Sequence, residues 1–273
     1  MKLKFLIPTA FGALGLGLLL SRKISANQFR DEVSGLFASS GQISHKRFSY
    51  QQLEGLPAPV QRYFRLVLPE GQTYISYVRL KHNGQFKSDL EKDWMDINGE
   101  QYFTTQNPGF VWRGKTSVFT ATDKLTNGNG SLSVKLLSSV RIVNAKGEKY
   151  NQGELLRWLG ESAWFPTNLL PSPNLKWGPI DAETAHLTYQ YNDLKLNYKV
   201  RFNPSGEIIS FETKRYLGNT NLESWIGKYS DYRKINGVLV PTKAEGAWIM
   251  NGQEHPYARF NVTELEYDQP KLF

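Results

Sequence analysis

Residues 187–214 read LTYQYNDLKLNYKVRFNPSGEIISFETK, and this stretch decides the fold class. Leu196, Tyr198, Val200 and Phe202 alternate with Lys195, Asn197, Lys199 and Arg201, the period-two pattern of a strand with one buried and one solvated face. Before it, Leu187, Tyr189 and Tyr191 run into the turn Asn192-Asp193. After it, Asn203-Pro204-Ser205-Gly206 turns into a third strand, with Ile209, Phe211 and Thr213 opposite Ser210, Glu212 and Lys214. This is an antiparallel meander. The same turn signals recur at Asn83-Gly84, Asn98-Gly99, Pro108-Gly109, Asn127-Gly128-Asn129-Gly130, Asn236-Gly237 and Asn251-Gly252. They cut the chain from Tyr74 onward into about 10–11 strands at hairpin spacing.

Three helical patterns accompany the strands. Phe29, Val33, Leu36 and Phe37 share one face, with Arg30, Asp31 and Glu32 between them. Pro57 opens a second pattern, Val60, Tyr63, Phe64 and Val67, which Pro69-Glu70-Gly71 stops. The third, Tyr150 to Phe165, interrupts the strands and carries Leu155, Leu156, Leu159 and Ala163 on its apolar side until Pro166 ends it. The expected fold is mainly β (α+β). A single large curved antiparallel sheet, a half-barrel, is packed by about three helices, and a transmembrane helix precedes it.

That last element comes from residues 1–23, MKLKFLIPTAFGALGLGLLLSRK. Lys2 and Lys4 precede an uncharged run from Phe5 to Ser21, closed by Arg22 and Lys23. At 1.5 Å per residue the run spans roughly 25 Å, the short end for a membrane helix. A cleaved secretory signal fits less well, because a cut after Ala26 puts Ile24 where a small residue is wanted. The expected organisation is a membrane anchor at 1–23, an amphipathic helix and connector at 24–49, and the half-barrel at 50–273. The anchor is expected to be single-pass in the cell membrane, with the body on the periplasmic or exoplasmic side.

Composition narrows the function. The 273 residues hold 33 Lys and Arg against 25 Asp and Glu, and no Cys. Disulfides, thiol catalysis, Cys-ligated metal sites and a lipid-bearing Cys are therefore excluded. Four of the basic residues fall in the first 23, which leaves the body at +4, too little to suggest a nucleic-acid partner. There is no Gly-x-Ser-x-Gly elbow and no phosphate-binding loop. His45, His82, His186 and His255 have no ligand spacing, and Asp89, Glu91 and Asp93 are followed by Trp94 where a calcium loop needs Gly. No metal and no cofactor is expected. On the third helix Glu154, Arg157 and Glu161 fall at i, i+3 and i+7 and form one stripe, flanked by Trp158 and Trp164. Such stripes are commonly solvated faces stitched by ion pairs. Turned instead towards a concavity, Arg157 would meet an anionic head group and the tryptophans an acyl chain. The aromatics, 7 Trp, 14 Tyr and 15 Phe, serve mostly as core, and some, Trp112 and Trp225 among them, are candidates to line an apolar cavity.

The order of motifs resembles an uncharacterised family of bacterial proteins. The residues that carry it are Leu56-Pro57-Ala58-Pro59-Val60-Gln61-Arg62-Tyr63-Phe64, Pro108-Gly109-Phe110-Val111-Trp112, Arg157-Trp158-Leu159-Gly160-Glu161, Trp164-Phe165-Pro166-Thr167 and Trp225-Ile226-Gly227. The resemblance spans residues 50 to 267 and implies no established catalytic residues. The family in turn looks similar to the periplasmic lipoprotein carriers (LolA/LolB-like), a curved sheet closed by helices around an apolar cavity. This chain departs from the soluble carriers by its anchor and from the lipidated ones by lacking a Cys.

The expected role is a membrane-anchored envelope protein that binds a lipid or other apolar small molecule, with Arg157, Trp158, Glu161, Trp164, Trp112 and Trp225 as ligand-binding residues. The sequence names no protein partner and leans away from an enzyme. Two alternatives stand beside it: an enzyme acting on an amphiphile, with Glu161 as general acid or base and Arg157 holding an anion, and an envelope interaction scaffold.

Overall fold

In a computed structural model of the chain, the described backbone covers residues 6–137, 139–218 and 221–273, with side chains from residue 21 onward. Among the described residues thirteen strands form one antiparallel sheet, curved and not closed. The first meander comprises β1 (Tyr77–Phe86), β2 (Met95–Thr104), β3 (Gly109–Lys115), β4 (Phe119–Thr126), β5 (Asn129–Leu136) and β6 (Val140–Lys146). Helix α3 (Glu148–Gly160) then carries the chain across the sheet to the opposite edge. There β7 (Leu175–Pro179), β8 (Thr184–Tyr191), β9 (Leu194–Phe202) and β10 (Ile208–Leu217) begin a second meander. It returns through β11 (Asn221–Ile235) and β12 (Val238–Met250) to β13 (Gln253–Tyr267), which pairs with β1. The strand count exceeds the expected 10–11. Edge strand β6 has no buried residue and so shows no alternating pattern, and β7 is only five residues long, ending on Pro179.

Strand β9 is buried at every second residue, as its sequence requires. Its neighbour departs from simple alternation. Ile208 pairs with Phe202 and Ser210 with Arg201, so Ile209 is an extra, bulged residue. The bulge turns Ile208, not Ile209, into the core.

Two helices pack on the inner face. α2 (Ala58–Val67) buries Val60, Tyr63, Phe64 and Val67 and ends just short of Pro69, as a residue preceding proline resists the helical conformation. α3 begins after Gly147 and stops at Gly160, where a 3-10 turn (Glu161–Trp164) takes over. The single helix expected from Tyr150 to Phe165 is thus two elements. The start of α3 lies on β5 at Gly130, where any Cβ would collide with the Tyr150 carbonyl. The Gly130 N–H donates to Asn151 Oδ1 at 2.8 Å. At its other end Tyr198 Oη donates to the Leu156 carbonyl at 2.9 Å and Tyr229 Oη to that of Gly160 at 3.0 Å.

Helix α1 (Leu6–Ala38) is continuous across residue 23 and covers the outer face. Phe29, Val33, Leu36 and Phe37 form a separate apolar cluster with Tyr77, Tyr102 and Val111. Lys124 Nζ bonds Glu32 at 2.8 Å. Each buried side chain there contributes about 1.5–3 kcal/mol, enough to fix the helix on the sheet. Among the described residues no helix is long and apolar enough to cross a membrane. The transmembrane helix is therefore not supported by the fold, and the side chains of the apolar run that suggested it, apart from Ser21, lie outside the described residues.

Candidate functional site

Between α3 and the inner face of β1–β5 and β10–β13 lies a cavity of about 840 Å³. Its walls are largely apolar, with Phe86, Ile97, Phe119, Val134, Leu136 and Ile142 among them, and Ser88, Lys92, Lys149 and Glu245 stand nearer to solvent. Its deep end is polar, lined by Asp123, Glu154, Arg157, Glu161 and Arg215. A larger depression, about 1160 Å³, lies elsewhere, lined largely by polar and charged residues such as Lys228, Glu245, Glu254 and Arg259. Those four side chains pair with one another near solvent, so we regard it as surface relief.

Arg157 organises the deep end. Its Nε donates to Glu161 Oε1 at 2.9 Å, Nη1 to Asp123 Oδ2 at 2.6 Å, and Nη2 to Gln101 Oε1 at 3.4 Å. Gln101 Nε2 donates in turn to Glu161 Oε2 at 2.7 Å. The guanidinium also lies 4.9 Å from the Trp112 ring centre and 5.0 Å from that of Phe110. The side chains of Arg157, Asp123 and Glu161 are only 14%, 17% and 13% exposed. A solvated ion-paired stripe is therefore not what forms; the stripe faces inward. Nor is a Glu154–Arg157 pair found among the salt bridges, in which Arg157 is joined by Asp123 and Glu161.

Burial shifts the protonation of these groups. It pushes Glu161 and Asp123 above the usual carboxylate range against the opposing pull of Arg157. Glu154 is pushed up to about 8, first by burial and then by Asp123 and Glu161, with Arg157 and Arg215 opposing. Burial disfavours the Arg157 charge as well, but Glu161, Asp123 and Glu154 outweigh it and hold the guanidinium ionised.

The tryptophans divide. Trp112, Trp164 and Trp225 line the cavity. Trp158 does not: it is core, its Nε1 bonded to the Thr104 carbonyl at 2.9 Å and its ring against Tyr189. Trp112 and Trp225 share one device. Each indole lies along its own strand over the glycine two residues on, Gly114 and Gly227, where a Cβ would strike the ring. Trp112 Nε1 donates to His82 Nε2 at 2.8 Å. Burial first, then Arg157, lowers the His82 pKa to about 3, so this imidazole is a neutral acceptor. Among the described residues no three His, Cys, Asp or Glu could hold a metal ion.

Asp123, Gln101, His82 and Arg215 were not among the ligand-binding residues expected from sequence. A signal existed for two of them. Asp123 shares inner-face parity with Ala121 and Leu125, and Gln101 with Ile97 and Phe103; a polar residue on the apolar parity of a strand marks a buried polar site.

A family model of unknown function, DUF6544, matches residues 46–260. The chain belongs to that family. The match includes every residue of the cavity's polar end and begins after α1. A search of curated proteins returns no match. Solved structures that the chain is similar to include a LolA superfamily protein from Nitrosomonas europaea, at 10% identity and TM-score 0.43, covering 78% of this chain and 94% of that one. A DUF1329 family protein from Desulfovibrio piger follows at 9% identity and TM-score 0.41, covering 71% and 87%. A domain described as an outer membrane lipoprotein-sorting protein, from Vibrio parahaemolyticus, gives 9% identity and TM-score 0.41, covering 71% and 86%.

Proposed function

We propose that this chain is a binding module that holds one amphiphilic molecule, a lipid or another ligand with an apolar chain, in the cavity beneath α3, and that it works at a membrane. The observation that carries the reading is the lining of that cavity, mostly apolar along its walls with a buried cluster of Asp123, Glu154, Arg157 and Glu161 under α3. Its volume of about 840 Å³ falls within the roughly 300–1,000 Å³ of small-molecule sites. A polar cluster at the closed end and apolar walls suit a molecule that enters head first.

The membrane enters through the rim. Val118, Leu136, Ile142 and Val143 both line the cavity and are exposed, and Val140 beside them is 61% exposed. Large exposed apolar patches mark interaction surfaces. Ser21 Oγ lies 2.6 Å from Ser139 Oγ in the β5–β6 hairpin, which brings the end of the apolar run Phe5–Ser21 to this rim. Arg141 stands exposed on the same hairpin, suited to an anionic lipid surface. An apolar rim gives a ligand a dry path between bilayer and cavity.

Glu161, the acid or base candidate, has both oxygens engaged, by Arg157 and Gln101. This favours a receptor over a catalyst. The test is fluorescence quenching by a dodecyl chain brominated near its end. Trp112 and Trp225 line the cavity, so saturable quenching at one site per chain is expected. Quenching that rises linearly without saturation would contradict the proposal.

A further inference from the structure

The deep end of the cavity leaves two carboxylate oxygens without a donor. Arg157, the group expected to grip an anionic head, is already held by Glu161, Asp123 and Gln101, one through each of its nitrogens. Asp123 Oδ1 and Glu154 Oε2, by contrast, are buried and have no partner. Glu154 is only 6% exposed, and both residues border the cavity. An unmet buried acceptor costs about 1–3 kcal/mol, so these two oxygens are where a ligand gains most. In this cluster three carboxylates, Asp123, Glu154 and Glu161, stand with two guanidiniums, Arg157 and Arg215, while Lys92, Lys149 and Glu245 line the cavity nearer to solvent.

We infer that the deep end receives a cationic primary amine, the head group of an amphiphile, seated between Asp123 and Glu154 with the chain along the apolar walls. The inference rests on the reading of the cavity as an amphiphile site and names the chemistry of the head. Two donors without acceptors, Arg215 Nε and Trp164 Nε1, also belong to residues of the lining. They offer a place to an oxygen next to the amine, as in an amino alcohol. A bare anion would leave the Asp123 and Glu154 oxygens unmet.

With no ligand, Glu154 balances the charge by keeping its proton to about pH 8, held by burial and by the neighbouring carboxylates Asp123 and Glu161 on β4 and the turn after α3, against Arg157 on α3 and Arg215 on β10. An ammonium group replaces that proton, so binding releases one proton and tightens as pH rises towards 8. The amine itself stays charged to about pH 10.

The experiment is a titration of the full chain, held in amphipol, with dodecylamine, dodecanoate and dodecanol. Dodecylamine is expected to bind at least tenfold more tightly than dodecanoate. Its affinity should rise up to about tenfold per pH unit between pH 6 and 8 and level off above, the slope of one linked proton. In Glu154→Gln the amine should lose this slope and at least tenfold in affinity, while dodecanol is unchanged. Dodecanoate binding most tightly, or a pH-independent amine affinity in the wild type, would overturn the amine assignment and leave the amphiphile site standing. Failure of all three probes to bind would overturn both.

Discussion

Arg157 carries the polar end of the cavity on one guanidinium that bonds Asp123, Glu161 and Gln101 at once. Arg157→Met would strand two buried carboxylates, a loss of about 3–5 kcal/mol, to be read as a fall in the urea midpoint at unchanged slope. Glu154 acts with the opposite sign. In the folded chain it keeps its proton to about 8, whereas its ordinary value is 4.5. The folded state therefore binds more protons across that window, and stability falls as pH rises from about 4.5 to about 8. Glu154→Gln should reduce this fall and leave the variant more stable than wild type at pH 8, by a few kcal/mol on the order-of-magnitude scale of such shifts. Equal midpoint changes between pH 5 and pH 8 in both proteins would contradict the assignment. At this scale the stripe Glu154–Arg157–Glu161 was legible because i, i+3, i+7 spacing places residues on one side of a helix. Whether that side met water or the sheet depends on strands 34 and 56 residues away, where Asp123 and Gln101 supply the partners.

The strands were the most legible elements, because in β9 alternation alone assigns every side chain to a face. Ile209 was misplaced for a reason alternation cannot carry, since a bulge shifts parity within a strand. Trp225-Ile226-Gly227 was visible as a motif, and its meaning came only with the indole lying over Gly227. Gly227→Ala brings a Cβ to 2.7 Å of that ring, so the indole must move, with a changed emission spectrum and weaker binding of chain-bearing probes. Ala121, buried on β4 and part of the lining, gives the cleaner block. Ala121→Trp places an indole in the cavity, and probe binding should fall at least tenfold while cooperative unfolding is retained. Unaltered binding in this variant would place the ligand elsewhere.

For the whole molecule, the sequence reading reached a curved sheet with helices but not the route of the chain. The crossing from β6 to β7 along α3, which creates the cavity roof, joins opposite edges of the sheet, and no local pattern encodes such a long-range choice. The same holds for α1, whose apolar face is plain in sequence and whose place on the outer face depends on Tyr77, Tyr102 and Val111. The exposed rim yields a prediction at this scale: Val140→Asp with Ile142→Asp should slow probe transfer from anionic vesicles to the protein several-fold and leave unfolding unchanged. An unaltered transfer rate would remove the rim from the entry path. The central claim is that the cavity holds an amphiphile. It is tested most directly by mass spectrometry of organic extracts from the full chain, purified from its native host, alongside Ala121→Trp. One amphiphile near equimolar with the protein, enriched over the bulk membrane and lost in Ala121→Trp, is the predicted result. An extract with the composition of the bulk membrane, identical in both proteins, would contradict it.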